Sequence, residues 1–433
     1  MGGKSNFKKR ILQENINFEF IFLLFNENKI LLHFFYSELT MIETFYSLFG
    51  NQKQVRKIFS PYRVCPLGAH VDHQHGLVSG FAIDKGVELL FIPSVDRMIE
   101  MRSLTFRGEA TIDLNASLLK KNDWGDYLRG AVYALKKRFQ LKYGIKGLIK
   151  GSLPVGGLSS SAAVLVAYVM ALSNANEISL TPMEIIRISS EAEREFVGLN
   201  NGILDQACVV LSEKDNLLYL DTDTNEYCLL PISNAMPSFE VGIVFSGLTR
   251  SLISSDYNLR VNECKVAAWN ILASKKQTLN TFDKTFLRDV PEAFFDETKD
   301  TFPVRFQQRA EHFYSECNRV KQGMHVWQKG DIHTFGQLIF DSCASSIYNY
   351  ECGSPELIAI YHIMQETDGI YGGRFSGAGF KGACICLLDP AKKEMIAQQI
   401  KTKYISRFPQ YKAGFEFHCC KTETGARLMN YEQ

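Results

Sequence analysis

Apolar residues recur along this chain with two different periods. Between residues 55 and 103 short runs rich in Val, Ile and Phe alternate with turn residues, which predicts strands over 55–60, 77–83, 86–92 and 98–103. From Asp126 to Phe139 the spacing becomes helical, with Leu128, Val132, Leu135 and Phe139 on one face. Residues 162–175 are apolar nearly all round, the pattern of a helix buried between layers. Thr181-Pro-Met-Glu184 reads as a capping box with proline at the first helical position. It predicts a helix to about Phe196, with Ile185, Ile188, Ala192 and Phe196 on its apolar face.

After Asn234-Ala-Met-Pro237 the pattern restarts with a strand over 241–245, then helices near 256–275, 304–329 and 332–347. A glycine-rich segment, a strand over 383–388 and a helix from Pro390 close the chain. Mixed strands and helices in both halves predict an α+β fold of two domains, 41–235 and 236–433. Residues 1–40 read as an extension outside the core, with Met41 beginning an amphipathic segment. Their basic start and apolar run look superficially like a leader or anchor. Glu19, Glu27 and Lys29 interrupt that run too often for either.

A chain of 433 residues with 46% hydrophobic content has room for two sizeable cores. Lys plus Arg (48) nearly balances Asp plus Glu (47), so no strong field of either sign recruits nucleic acid or an anionic membrane. Small molecules are the expected partners. The eleven cysteines form no C-x-x-C pair and no zinc spacing with histidine, which predicts reduced, mostly buried thiols in a cytoplasmic protein.

Candidate chemistry concentrates in three motifs. In Leu153-Pro-Val-Gly-Gly-Leu-Ser-Ser-Ser-Ala-Ala163, Gly156 and Gly157 let the backbone turn its N–H groups inward. Ser159, Ser160 and Ser161 follow where the apolar helix begins, so amides, hydroxyls and the positive helix end converge on an anion. Neither G-x-x-x-x-G-K-[ST] nor G-x-G-x-x-G is present. The second motif, Pro61-Tyr-Arg-Val-Cys-Pro-Leu-Gly-Ala-His-Val-Asp-His73, gathers guanidinium, imidazole and carboxylate, a set that suits a polyhydroxyl substrate. As a metal site it lacks a further ligand and the spacing of H-E-x-x-H. The third is Ser376-Gly-Ala-Gly-Phe-Lys-Gly382.

In this order the three motifs resemble the kinase family named for galactokinase, homoserine kinase, mevalonate kinase and phosphomevalonate kinase, the sugar-kinase branch in particular. The resemblance runs from about Val55 to Leu388. It implies a two-domain α+β fold, with an N-terminal domain like domain 2 of ribosomal protein S5 and a ferredoxin-like C-terminal domain. It also implies ATP as donor, Mg²⁺ as cofactor, and attack by the anomeric hydroxyl of a sugar. By the same resemblance Asp205 is the catalytic carboxylate, with Arg63 beside it. The segment from Gly156 to Ala162, including Leu158, Ser159 and Ser160, holds the nucleotide phosphates, and Ser161 with Glu193 holds the metal. Ala69, His70, Asp72, Gly202 and Tyr257 fall at sugar-contacting positions.

One departure bears on the sugar. Galactokinases carry Gly-Glu-His-x-Asp, with the Glu on the sugar's C6 hydroxyl, whereas this chain has Gly68-Ala-His-Val-Asp72. A Glu about 4 Å from a C6 carboxylate costs on the order of 4 kcal/mol at an effective dielectric near 20, roughly a thousandfold in affinity. Ala69 removes that repulsion. Phe245-Ser-Gly-Leu248, Asn349-Tyr-Glu-Cys-Gly353 and Arg374-Phe-Ser-Gly-Ala-Gly-Phe380 are also similar to the galacturonate-kinase branch. The expected activity is therefore a sugar 1-kinase acting on D-galacturonate, with His70, Arg250 and Arg260 as candidate cations for its carboxylate. A neutral-sugar kinase is the nearest alternative, and a catalytically inactive sugar sensor the next.

Overall fold

The computed structural model describes residues 40–52, 54–154, 156–199, 201–248, 254–379 and 382–429. The expected extension, up to residue 39, lies outside them. The helix Met41–Phe49 belongs to a separate unit ending at Val55, and is opened by a capping box between Thr40 and Glu43. No helix among the described residues is long and apolar enough to cross a membrane.

From Arg56 onward the chain forms two sheets. The first contains β1 (Arg56–Val64), β2 (Leu77–Ser94), β3 (Met98–Ser103), β4 (Glu109–Asp113), β5 (Gly144–Gly151), β6 (Asn216–Asp221) and β7 (Tyr227–Pro231). Its main path also takes in the last strand of the chain, β13 (Arg427–Met429), in the order β13-β1-β2-β5-β3-β4. Only β3 and β5 run parallel. The two strands expected over 77–83 and 86–92 are one continuous β2. Asp84-Lys85-Gly86 looks like a turn in sequence, but here β1 shifts register between Pro61 and Arg63, and the long strand changes partners instead of reversing.

The second sheet consists of β8 (Glu240–Ser246), β9 (Ile370–Phe375), β10 (Ala383–Leu388) and β11 (Phe415–Cys420) in the order β11-β8-β10-β9. All of its pairings are antiparallel, the ferredoxin-like arrangement. A boundary near residue 236 separates the two sheets in chain order. The short β12 (Thr422–Glu423) and β13 then return to the first sheet and pair with β2 and β1.

The helix Ser160–Ala175 packs on β1, β2 and the helices Asp126–Lys136 and Pro182–Glu191, which is why its sequence is apolar on every side. The capping box at Thr181 forms, with Glu184 returning to the Thr181 N–H. That helix is α only to Glu191. Residues Ala192–Val197 continue it as a π-turn ending at Gly198 in the left-handed region. Every cysteine is free, and all but Cys228 and Cys419 are buried.

The helix Ile332–Tyr348 lies directly on β9. A Cβ added at Gly336 would stand 1.9 Å from the Tyr371 carbonyl oxygen, and one at Gly372 would stand 2.3 Å from that of Gly336. Gly336→Ala is therefore expected to destabilise the fold by about 1–3 kcal/mol through overpacking. Urea unfolding checks this, and an unchanged midpoint would contradict so close a contact.

Candidate functional site

Arg63, at the end of β1, is 3% exposed and points at the start of the helix Leu204–Leu211. Its Nε and Nη2 each lie 2.7 Å from Asp205 Oδ1. Burial opposes the charge on Arg63, but the Asp205 carboxylate outweighs it and holds the guanidinium protonated. The remaining nitrogen, Nη1, reaches the Gly157 carbonyl at 3.4 Å and Ser376 Oγ at 3.5 Å. One buried cation thus touches the Gly156–Ala162 loop, the third motif and the candidate catalytic carboxylate.

The two glycine-rich loops meet backbone to backbone. Gly157 has φ +80°, and a Cβ there would stand 2.9 Å from Ala383 N; one at Gly382 would stand 2.8 Å from the Gly156 carbonyl carbon. Ser159 is the N-cap of the helix Ser160–Ala175 but is left-handed, with φ +51°, and makes no capping bond. Its hydroxyl donates instead to Asp205 Oδ2. Among the described residues the N-cap therefore offers the first-turn amides no side-chain acceptor, which leaves the positive helix end suited to an anion. Leu158 and Ala162 are buried, so only their backbone can meet a ligand.

Glu193 lies in the π-turn and is 1% exposed. Asn201 Nδ2 and Gln206 Nε2 donate to its Oε2 at 2.8 and 2.6 Å, and the Ser161 hydroxyl is also hydrogen-bonded to it. Burial raises its carboxyl above the usual range, and nearby Asp205 adds to the rise. Among the described residues no cation pairs with Glu193. A buried carboxylate without a counter-charge, beside a hydroxyl, is an oxygen donor set that fits a hard divalent ion.

The loop after β1 carries the other group. Asp72 accepts the Leu204 N–H at 3.4 Å, and Gly202 packs so tightly on it that a Cβ would stand 2.4 Å from Asp72 Oδ2. His70, with φ +62°, stacks on Tyr350 at 4.4 Å and 10°, and its Nε2 is 3.6 Å from Cys352 Sγ. Burial holds its imidazole well below the usual pKa, so it is neutral near pH 7. His73 Nε2 meets the Tyr350 hydroxyl at 3.0 Å, and Tyr257, on the helix Ser254–Ser274, sets its ring edge-on to His73 at 6.1 Å. Ala69 is 8% exposed.

These contacts gather Arg63, Gly157, Ser159 and Asp205 into one group and His70, Asp72, Gly202 and Tyr257 into another, and the two meet where Asp72 accepts the N–H of Leu204, the neighbour of Asp205. Two of the three candidate cations drop out of direct view. Arg260 is engaged with Glu263 at 3.0 Å and with the Glu351 carbonyl at 3.2 Å, and Arg250 lies outside the described residues. Sequence reasoning missed Tyr350 as the platform for His70, and it missed Glu316, which accepts the Gly68 N–H at 2.7 Å. A signal for Glu316 existed. Within the helix Val304–Gln328 the buried Arg309, His312 and Glu316 share a stripe at helical spacing, next to the apolar Phe313 and Val320.

Burial, followed by repulsion from Asp205, pushes the Asp72 carboxyl up to about 6. A raised folded-state pKa contributes stability that is fully present below the unfolded value near 4 and is lost as the pH rises through 6, at most about 3 kcal/mol. Asp72→Asn should therefore gain stability on the wild-type protein between pH 4 and pH 7. Urea midpoints of both proteins at the two pH values check this, and a constant difference would contradict it.

Known proteins share both the sequence and this arrangement. Residues 126–213 match the GHMP kinases N terminal domain, and residues 324–406 match the GHMP kinases C terminal region. A galacturonokinase of Arabidopsis thaliana is 40% identical over 420 residues, covering 91% of this chain and 98% of that protein. A galactokinase of Thermotoga maritima is 32% identical over 358 residues, covering 81% and 95%. The crystal structure of Lactococcus lactis galactokinase complexed with galactose superposes with a TM-score of 0.81 at 27% identity, covering 89% of this chain and 98% of that one. With its two-sheet fold, its glycine-turned loops and a full-length relative at 40% identity, the chain belongs to the GHMP kinase family.

Proposed function

We propose that this protein is an ATP-dependent sugar 1-kinase that converts D-galacturonate to D-galacturonate 1-phosphate and ADP. Ala69 carries the choice of sugar. It stands where galactokinases have Glu, in a chain 40% identical to a protein described as a galacturonokinase. Phosphoryl transfer needs a cradle for the donor, neutralisation of charge and an oriented hydroxyl. The open helix start at Ser160 and the amides of the Gly156–Ala162 segment supply the cradle. Arg63, paired with Asp205, would offset charge on the transferring group.

Asp205 would orient the anomeric hydroxyl and take its proton as the oxygen attacks the γ-phosphorus. The bond to the β-phosphate oxygen breaks, ADP leaves with that electron pair, and the proton passes on to solvent. The Ser159 hydroxyl now on Asp205 must yield that oxygen or share it. Ser161 and Glu193 would hold Mg²⁺, which supplies charge neutralisation on the phosphates when bound. A cytoplasmic setting agrees with the supply of ATP and with the free thiols.

Coupled ADP release by the purified protein should be fastest with galacturonate among galacturonate, glucuronate, galactose and arabinose; a preference for galactose would overturn the substrate assignment. Ala69→Glu should lower kcat/KM for galacturonate by on the order of a hundredfold or more and raise it for galactose. Asp205→Asn should lower kcat by about a hundredfold or more with ATP still bound. Near-full turnover would remove Asp205 from the chemistry.

A further inference from the structure

Ala69 is held at both ends of its backbone by a single helix. Its N–H lies 3.2 Å from Glu316 Oε1, which also accepts the Gly68 N–H at 2.7 Å and the Ser342 hydroxyl at 2.5 Å. Its carbonyl faces His312 Nε2 at 2.9 Å. A carbonyl oxygen can only accept, so the His312 proton sits on Nε2, and Nδ1 accepts the Ser345 hydroxyl at 2.9 Å. His312 and Glu316 are four residues apart on Val304–Gln328, and are 1% and 0% exposed.

The loop requires such a hold. Gly68 takes φ +96° freely as a glycine, but His70, next to Ala69, has φ +62°, a conformation a residue with a side chain keeps only where its surroundings enforce it. The hold is also compatible with an anionic ligand. Arg319 Nε lies 2.8 Å from Glu316 Oε2 and Arg374 Nη1 lies 3.6 Å from Oε1, so the carboxylate beneath the loop is neutralised.

We infer that His312 and Glu316 form a clamp on the Ala69 peptide and act as positioning residues for sugar selection: they fix how far residue 69 stands from the C6 end of the sugar, without touching the sugar. The inference rests on the sugar-kinase reading above. Loosening the clamp lets the loop drift, which weakens sugar binding and blurs the C6 choice. The donor site, built from other segments, keeps its affinity for ATP.

The test compares His312→Asn with His312→Gln. The Gln amide reaches the position of Nε2 and restores the bond to the Ala69 carbonyl, whereas the Asn amide reaches only Ser345. His312→Asn should raise KM for the sugar by about tenfold, with KM for ATP within about twofold, and should narrow the galacturonate-to-galactose ratio of kcat/KM. His312→Gln should stay within about threefold of wild type in all three. Glu316→Gln should resemble His312→Asn, and if it does not fold the two His312 variants decide alone. Equal behaviour of the Asn and Gln variants, or a loss shared equally between sugar and ATP, would overturn the clamp. The substrate assignment fails separately, if the wild type itself prefers galactose; the clamp is then judged by the sugar-against-ATP split with galactose.

Discussion

A guanidinium buried to 3% exposure must have its charge and its donors satisfied, and the way Arg63 is satisfied organises the whole site. Its partners come from distant parts of the chain: Asp205 from one helix, the Gly157 carbonyl from one loop and Ser376 from another. The glycines allow those loops to approach. With side chains at Gly157 or Gly382 the backbones could not meet, and Arg63 Nη1 would face an incomplete set of acceptors. The same pairing sets a guanidinium directly beside the Asp205 carboxylate, the two groups that the proposed reaction would use to offset phosphate charge and to orient the hydroxyl.

The rest of the buried polarity follows the same rule of pairing inside a low-dielectric interior. Glu316 is the clearest case. Burial alone would raise its carboxyl, yet Arg319 and Arg374, with His312 and the Ser342 hydroxyl, hold it down at about 2. His312 is lowered too, to about 4, in its case by burial, so it stays neutral and can keep its Nε2 proton on the Ala69 carbonyl. Glu193 is the exception. It has hydrogen bonds but no ion pair among the described residues.

Much of this was legible in the sequence because it is local. The apolar run 162–175 lies within the helix Ser160–Ala175, the helical pattern over 304–329 matches Val304–Gln328 to within a residue, the capping box gave the start at Pro182, and the strand expected over 383–388 is β10. The second motif gave Arg63 and Asp72, and the family resemblance Glu193 and Asp205, as candidate chemistry-bearing groups. What stayed hidden depends on contacts between distant segments. The unbroken β2 is decided by its change of partners, which no local pattern encodes, and the π-turn at Glu193 by packing at the end of an otherwise ordinary helix. Tyr350 and Glu316 touch the sugar loop across separations of 280 and 248 residues, so their roles appear only once the second sheet's helices are folded against it.

The two halves of the site are therefore built from different materials. On the proposed reading the donor half is mostly backbone, glycine turns and helix amides that would recognise phosphate whatever the acceptor. The proposed acceptor half centres on the loop carrying Ala69, His70 and Asp72, whose Ala69 peptide is held by side chains from the helix Val304–Gln328. A substitution in that loop or under it can change which sugar is accepted and leave the phosphoryl-transfer groups where they are. On the proposed reading Ala69 is such a change: it would remove a charge at the C6 end of the sugar without touching the Arg63–Asp205 pair.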